Sequence, residues 1–381
     1  MDAHSRDRNM LHKCNRARRE NVARDIHLFN FLVKYFTFSS CGFIKIMRQY
    51  SWVTKYRCFL DFETTSATGG KMGAYLFVHF KEKFTPDGEQ VYFAISKNGF
   101  DWEQVNGGEP VLTSHLGDEG VRDHTITRTK DGKFVILATD LGLANYFKTK
   151  YRDSWNVVNH EGSKYLSKWE SEDLIHWSEQ ELVKVVPDSF GCAWAPDIIY
   201  DKENDDYMVH WSSFNPEHNE KFMGIYYAKT KDFKTFDGPH FLIDKEDTGI
   251  IDSNIFEQDG WYYLFLKSDF NPAHIYMVKS QSLTGPYERV YEFDEEMNKL
   301  ADGMYEAPTS FRLSDGRVCL MLDFYGCEKS KQGYVPFVSD DISTGKFVRS
   351  DESFSFPYGF KHGTVLEITD EEYDRIKKFF N

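Results

Sequence analysis

Cysteine is sparse in this chain. Its 381 residues hold six, Cys14, Cys41, Cys58, Cys192, Cys319 and Cys327. No two stand at the C-x-x-C spacing of a structural zinc site. Three crowd into the first 58 residues, which is not how a disulfide framework is spread. A reducing compartment fits best, and a cytoplasmic location is expected, with secretion left as the alternative. Long apolar runs are also missing. LFNFLVKYFTF (28–38) is interrupted by Asn30 and Lys34, is too short to span a membrane and lacks an A-x-A cleavage site. Positive charge is scarce: 46 Lys and Arg face 60 Asp and Glu, giving a net charge of −14 and a pI of about 5.4. This argues against nucleic acid or an anionic membrane as the main partner and is compatible with a neutral ligand such as a sugar. Helical periodicity is nearly absent outside DEEYDRIKKFF (370–380).

Aromatic residues are abundant, at 17%. They suit strands and flat binding surfaces. Residues 1–65 differ from the rest: HKCNRARRENVAR (12–24) is basic in an acidic chain. This segment reads as a poorly ordered extension or a misassigned start, ahead of one domain over 66–381. Met72 in KMGAYLFVHF stands just before the first convincing strand. Residues before about Met72 are therefore expected to be dispensable for the fold. A deletion of residues 1–65 that left the protein insoluble or inactive would overturn this.

One layout recurs. VRDHTITRTKDGKFVILATD (121–140), WAPDIIYDKENDDYMVHWSS (194–213), IDSNIFEQDGWYYLFLKSD (251–269) and GMYEAPTSFRLSDGRVCLMLD (303–323) each give a polar opening, an alternating strand, an acidic turn and an aromatic or apolar second strand. Each is followed by a third strand, a Ser/Thr/Asp-rich turn and an aromatic: Trp177, Phe236, Tyr287 and Phe347. A fifth unit is split. KHGTVLEIT (361–369) supplies its first strand, and residues 75–102, closing on Trp102, supply its second and third. Opening positions Asp123, Ala195, Asp252, Glu306 and His362 are spaced by 72, 57, 54 and 56 residues. The count predicts an all-β, five-bladed β-propeller whose ring closes by pairing N-terminal strands with the C-terminal one. An irregular β-sandwich is the competing fold.

In such a ring the first strand of each blade lines the axis, so the opening residues converge. Three carboxylates gathered there repel one another and shift each other's protonation. One can stay protonated while another stays ionised, which is the pairing that glycoside hydrolysis needs.

The ordered set RDH, WAPD, IDS, EAP and KHG, one per blade, resembles glycoside hydrolase family 43, over about residues 73–378. The resemblance implies an inverting glycosidase. By position Asp123 matches the general base, Asp252 the aspartate that tunes and orients the acid, and Glu306 the general acid. Trp194 and Asp197 match residues lining the sugar pocket, and His362 a central histidine that organises it. Two departures stand out: His124 follows Asp123 where the family has proline, and Ala307 replaces a glycine after Glu306. Arg122 is similar to its counterpart in related sucrose-cleaving propellers, whose acid lies in a Glu-Cys motif; Glu-Ala-Pro favours family 43. The implied substrates are α-L-arabinofuranosides first, then β-xylosides, then β-galactofuranosides. No redox cofactor or catalytic metal is called for, and a structural calcium ion near the axis is compatible.

Other readings compete at single residues. Asp131, Asp259 and Asp315 precede glycine in hairpin turns, and Asp101, Asp173, Asp232 and Asp341 belong to the repeated turns, so all are read as structural. Trp194 suits either a sugar platform or the core. Asp197, two residues past Ala195, is expected on the same side of its strand, with a turn cap as its alternative. His362 has an interior structural role as its alternative. The insertion GLANYFKTKYRDSWNVVNHEGS (142–163) reads as a loop that overhangs the channel or a flexible surface loop. A non-catalytic carbohydrate-binding propeller is the rival function. The oligomeric state is not readable.

Overall fold

A computed structural model describes residues 72–81, 85–300, 304–326, 332–357 and 359–381. Among these, twenty strands form five four-stranded antiparallel sheets. The chain starts in the last blade with β1 (Met72–His79), β2 (Tyr92–Ser96) and β3 (Glu103–Gln104). Blade one follows as β4 (Val121–Arg128), β5 (Phe134–Asp140), β6 (Tyr165–Ser171) and β7 (Glu181–Lys184). Blade two is β8 (Trp194–Asp201), β9 (Asp206–Ser213), β10 (Gly224–Thr230) and β11 (Asp237–Ile243). Blade three is β12 (Ile250–Gln258), β13 (Trp261–Ser268), β14 (Ile275–Ser280) and β15 (Glu288–Arg289). Blade four is β16 (Met304–Arg312), β17 (Val318–Tyr325), β18 (Gly333–Ser339) and β19 (Val348–Arg349). Finally β20 (Gly363–Thr369) pairs with β1, Leu76 opposite Leu366, and closes the ring as the split unit predicts. The N-terminal segment 1–65, with the deletion expectation attached to it, lies outside the described residues.

The core is distributed between blades, as a propeller requires. Val135 and Leu137 of blade one meet Val209 and Trp211 of blade two. Met208 and Ile225 meet Leu264 and Leu266 of blade three. Phe265 and Met277 meet Leu320 and Phe337 of blade four. Met321 and Phe311 meet Tyr75 and Phe77 of blade five, and Leu76 and Phe93 meet Ile136 and Trp169 of blade one. The second strands are thus covered on both faces, which is why β5 and β17 read as nearly unbroken apolar runs.

The repeated turns have a shared mechanism. Ser171 Oγ accepts the N–H groups of Asp173 and Leu174, and Asp173 Oδ1 accepts those of Ile175 and His176. Thr230 with Asp232 repeats it in blade two. In the last blade the residue that does this is Asn98, with Ser96, rather than Asp101. Such side chains bend the chain by standing in for backbone acceptors.

Among the described residues four α-helices punctuate the strands. The insertion after β5 holds α1 (Leu143–Tyr146) and α2 (Trp155–Glu161), the latter capped by Ser154. A helix that the pattern did not suggest, α3 (Tyr291–Met297), buries Phe293 and Met297 in the core between blades three and four. The expected C-terminal helix α4 (Asp370–Phe380) opens on a capping box of Thr369 and Glu372. Arg128 grips Glu372 through two 2.7 Å contacts and ties α4 to blade one.

Candidate active site

The inner strands of blades one to four share one irregularity. In each, two residues face a single residue of the second strand: 123–124, 195–196, 252–253 and 307–308. The first residue of each pair has a left-handed backbone: Asp123 (φ 52°), Ala195 (48°), Asp252 (53°) and Ala307 (55°). These are β-bulges, which bend a strand and re-aim its side chains. Non-glycine residues rarely adopt such angles, and the strain is characteristic of functional segments. Proline, lacking an N–H, fills the second position as Pro196 and Pro308.

The bulge corrects the alignment of the repeats. Ala307, not Glu306, is the register equivalent of Asp123, Ala195 and Asp252. Glu306 stands one residue earlier, level with Arg122, Trp194 and Ile251. The acid candidate therefore leaves its strand ahead of the bulge, whereas Asp123 and Asp252 leave from it.

The bulges interlock around the axis. Thr139 Oγ1 accepts the Ala195 N–H (2.8 Å) and donates to Asp123 Oδ2 (3.0 Å). Ser212 Oγ accepts the Asp252 N–H (3.0 Å), and Asp252 Oδ2 accepts the Ala307 N–H (3.1 Å). In blades one to three a side chain thus holds the strained backbone of the next blade.

Four of the six expected residues share one electrostatic environment. His362 lies 3.2 Å from Asp123 Oδ1 through Nδ1. Burial opposes its charge, but Asp123, Asp252 and Glu306 together outweigh burial and push its pKa up to about 9. Burial likewise works to raise Asp123, yet the hydrogen bond and charge of His362, with Arg122 and Thr139, hold that carboxyl below its usual range. Glu306 goes the other way. Burial first, then the carboxylates of Asp252 and Asp323, lift it to about 8 against Lys361 and Lys267. Asp252 is raised, by burial first, with the charge of Asp123 adding to it. One carboxylate is held ionised and another protonated at neutral pH, the division that acid–base catalysis needs.

Trp194 joins this group through its neighbour Ala195, while its ring meets the insertion edge-on at Trp155 (6.3 Å, 83°). Trp155 is 53% exposed and is backed by Phe147 at 5.5 Å. The insertion is anchored: Lys150 and Tyr151 donate to Asp118, whose N–H, with the Ser163 hydroxyl, is held by Asp140. It is built as two short helices over Trp194.

Asp197 stands apart. Its carboxylate accepts from Thr125 (2.9 Å) and from Asn254 (2.8 Å), and Ser310 donates to Asn254 in turn. Both oxygens are thus engaged in a polar belt that stitches four inner strands together. The alternation expected from Ala195 is reset by the bulge, so Asp197 shares its register with Trp194 instead.

Several residues beyond the six expected ones complete the site. Arg122 stacks on Phe80 and pairs with Glu89 at 3.0 Å. The Tyr325 hydroxyl bonds Glu306. Lys361 pairs with Asp323 at 2.5 Å, both nearly buried. His124 is buried, and burial pushes it down to about 3, so its ring is neutral. No group of three or more His, Cys, Asp or Glu side chains among the described residues is arranged to hold a metal ion.

Residues 70–374 match a family described as a probable glycosyl hydrolase domain, related to glycoside hydrolase family 43. A protein of Bifidobacterium longum subsp. longum named alpha-L-arabinofuranosidase is 27% identical over 231 residues, 52% of this chain and 21% of that protein. The chain thus spans about a fifth of that relative's length. Among solved structures, an exo-1,5-alpha-L-arabinanase from a bovine ruminal metagenomic library is similar at 15% identity and a TM-score of 0.51, covering 73% of this chain and 93% of that one. An alpha-L-arabinanase mutant of Cellvibrio cellulosa gives 16% and 0.51, over 74% and 92%. An endo-1,4-beta-xylanase of Bacteroides thetaiotaomicron gives 13% and 0.50, over 77% and 93%. These likenesses bear out the propeller.

Proposed function

The chain belongs to this family of probable glycosyl hydrolase domains, and from that premise we propose that it is an inverting, exo-acting glycoside hydrolase whose first substrate class is α-L-arabinofuranosides. The observation that carries the reading is the different setting of two carboxyls in one site: His362 lies 3.2 Å from Asp123 and favours its ionised form, whereas Asp252 bonds the backbone beside Glu306 and its charge, with burial, favours the protonated form. Asp123 takes a proton from water as its oxygen attacks the anomeric carbon. The bond from that carbon to the leaving oxygen breaks, and Glu306 gives its proton to that oxygen. Inversion needs room for the water between the two carboxyls, roughly 6.5–9.5 Å. Asp252 tunes Glu306 by its charge and fixes the backbone beside it. His362 orients Asp123, and Trp194 with Trp155 offers aromatic faces to a sugar.

The named relative from Bifidobacterium favours arabinofuranosides; β-xylosides and β-galactofuranosides are the next candidates. A hydrolysis screen over these three classes, with the product anomer followed by NMR, tests substrate and stereochemistry together. An inverted first-formed anomer supports the proposal. A retained anomer overturns the inverting mechanism, and binding without turnover would instead support a carbohydrate-binding propeller.

A further inference from the structure

Glu306 and Asp323 face each other directly across β16 and β17. Directly opposed residues bring their Cβ atoms to about 5 Å, where two like charges destabilise the pair. The two carboxyls therefore compete for neutralisation, by a proton or by a cation. The cation is Lys361, which lies 2.5 Å from Asp323 Oδ2, with side chains 7% and 2% exposed. Lys361 immediately precedes His362, whose ring contacts Asp123. The dipeptide that closes the ring thus reaches the acid side with one residue and the base side with the next.

We infer that Lys361 and Asp323 are positioning residues for the proton donor: by claiming Asp323 as its counter-ion, Lys361 leaves Glu306 as the carboxyl of the facing pair that carries the proton. This rests on the assignment of Glu306 as general acid. The other groups around Glu306 are Asp252 of β12, Lys267 of β13, Tyr325 of β17, His362 ahead of β20 and Arg122 of β4. Lys267 is engaged by Asp269 and the Ser268 carbonyl, and Arg122 by Glu89. Asp323 is the carboxylate set opposite Glu306 in the ladder, and its charge acts to keep Glu306 protonated while Lys361 moderates it.

The two residues should move the alkaline limb of the kcat/KM profile in opposite directions. Asp323→Asn removes the opposing negative charge and leaves Lys361 beside Glu306, so the limb should fall by about one pH unit. Lys361→Met removes the cation and lets Asp323 share the proton. The limb should then rise by a similar amount while the plateau drops, and Lys361→Arg should restore both. A purely structural pair would lower activity at every pH without moving the limb, and unmoved limbs in the two variants would overturn the inference. If Asp323→Asn does not fold by circular dichroism, Lys361→Met decides alone: a raised limb supports the inference, and an unmoved or lowered one defeats it. Glu306→Gln separates the underlying assignment. Undiminished hydrolysis of an alkyl glycoside by that variant would remove the acid itself, whatever the limbs do.

Discussion

Asp252 Oδ2 accepts the Ala307 N–H at 3.1 Å, so the carboxylate of one blade holds the strained backbone that follows Glu306 in the next. Charge and geometry are joined in this contact, and Asp252→Asn separates them, because the amide oxygen can still accept the N–H. Without the charge, Glu306 loses its second-largest source of proton affinity after burial. The alkaline limb of kcat/KM, near pH 8 in the native protein, should move to lower pH by about one unit. Thermal stability should change little. A limb that stays in place would show that Asp252 acts through the backbone alone.

His362 should govern the opposite limb. Asp123 must be ionised to act as base, and His362 is the main group opposing the effect of burial on that carboxyl. His362 is itself protonated through the neutral range, its pKa being about 9. His362→Gln keeps a hydrogen-bond donor and removes the positive charge. The Asp123 pKa then rises, so activity is lost at a higher pH on acidification, while the alkaline side is less affected. A pH–rate profile measured from about pH 3 to 10 checks both limbs in one series.

A proton donor matters most when the leaving group is poor. For Glu306→Gln the loss should be on the order of 10²–10⁴-fold with alkyl or sugar leaving groups. It should be much smaller with a nitrophenyl glycoside, whose phenolate departs without protonation. For Asp123→Asn the loss should be large and similar for both, because attack by water is impaired in each case. Equal losses across leaving groups for Glu306→Gln would deny it the acid's role.

Much of this arrangement was legible in the sequence. The four repeats, the Asp-Gly turns and the split fifth unit led to five blades and to the closure of β1 on β20. The offset of Glu306 was legible too, through proline. Pro196 and Pro308 cannot sit in a regular inner strand, and aligning Ala195-Pro196 with Ala307-Pro308 places Glu306 level with Trp194. Aligning on carboxylates hid this. The helix α3 was not legible, because seven residues give too little periodicity. Nor was the Lys361–Asp323 pair, although Asp323 ends one quoted repeat and Lys361 begins KHG. Their meeting depends on how blades four and five stand against each other, which no local pattern encodes.

Asp197 should behave as a structural residue despite its place in the WAPD motif. Its carboxylate receives Thr125 from blade one and Asn254 from blade three, and it is 7% exposed. Asp197→Ala would leave two buried donors without an acceptor, at a cost of roughly 1–3 kcal/mol for each. The expected destabilisation is about 3 kcal/mol, a fall in Tm of roughly 5–10 °C. At a temperature where the variant remains folded, KM for the glycoside should rise little, since no oxygen of Asp197 is spare for a sugar. A residue that held substrate would show the reverse: an unchanged melting curve and a KM raised tenfold or more. Melting curves and steady-state kinetics on one preparation decide between the belt and the pocket.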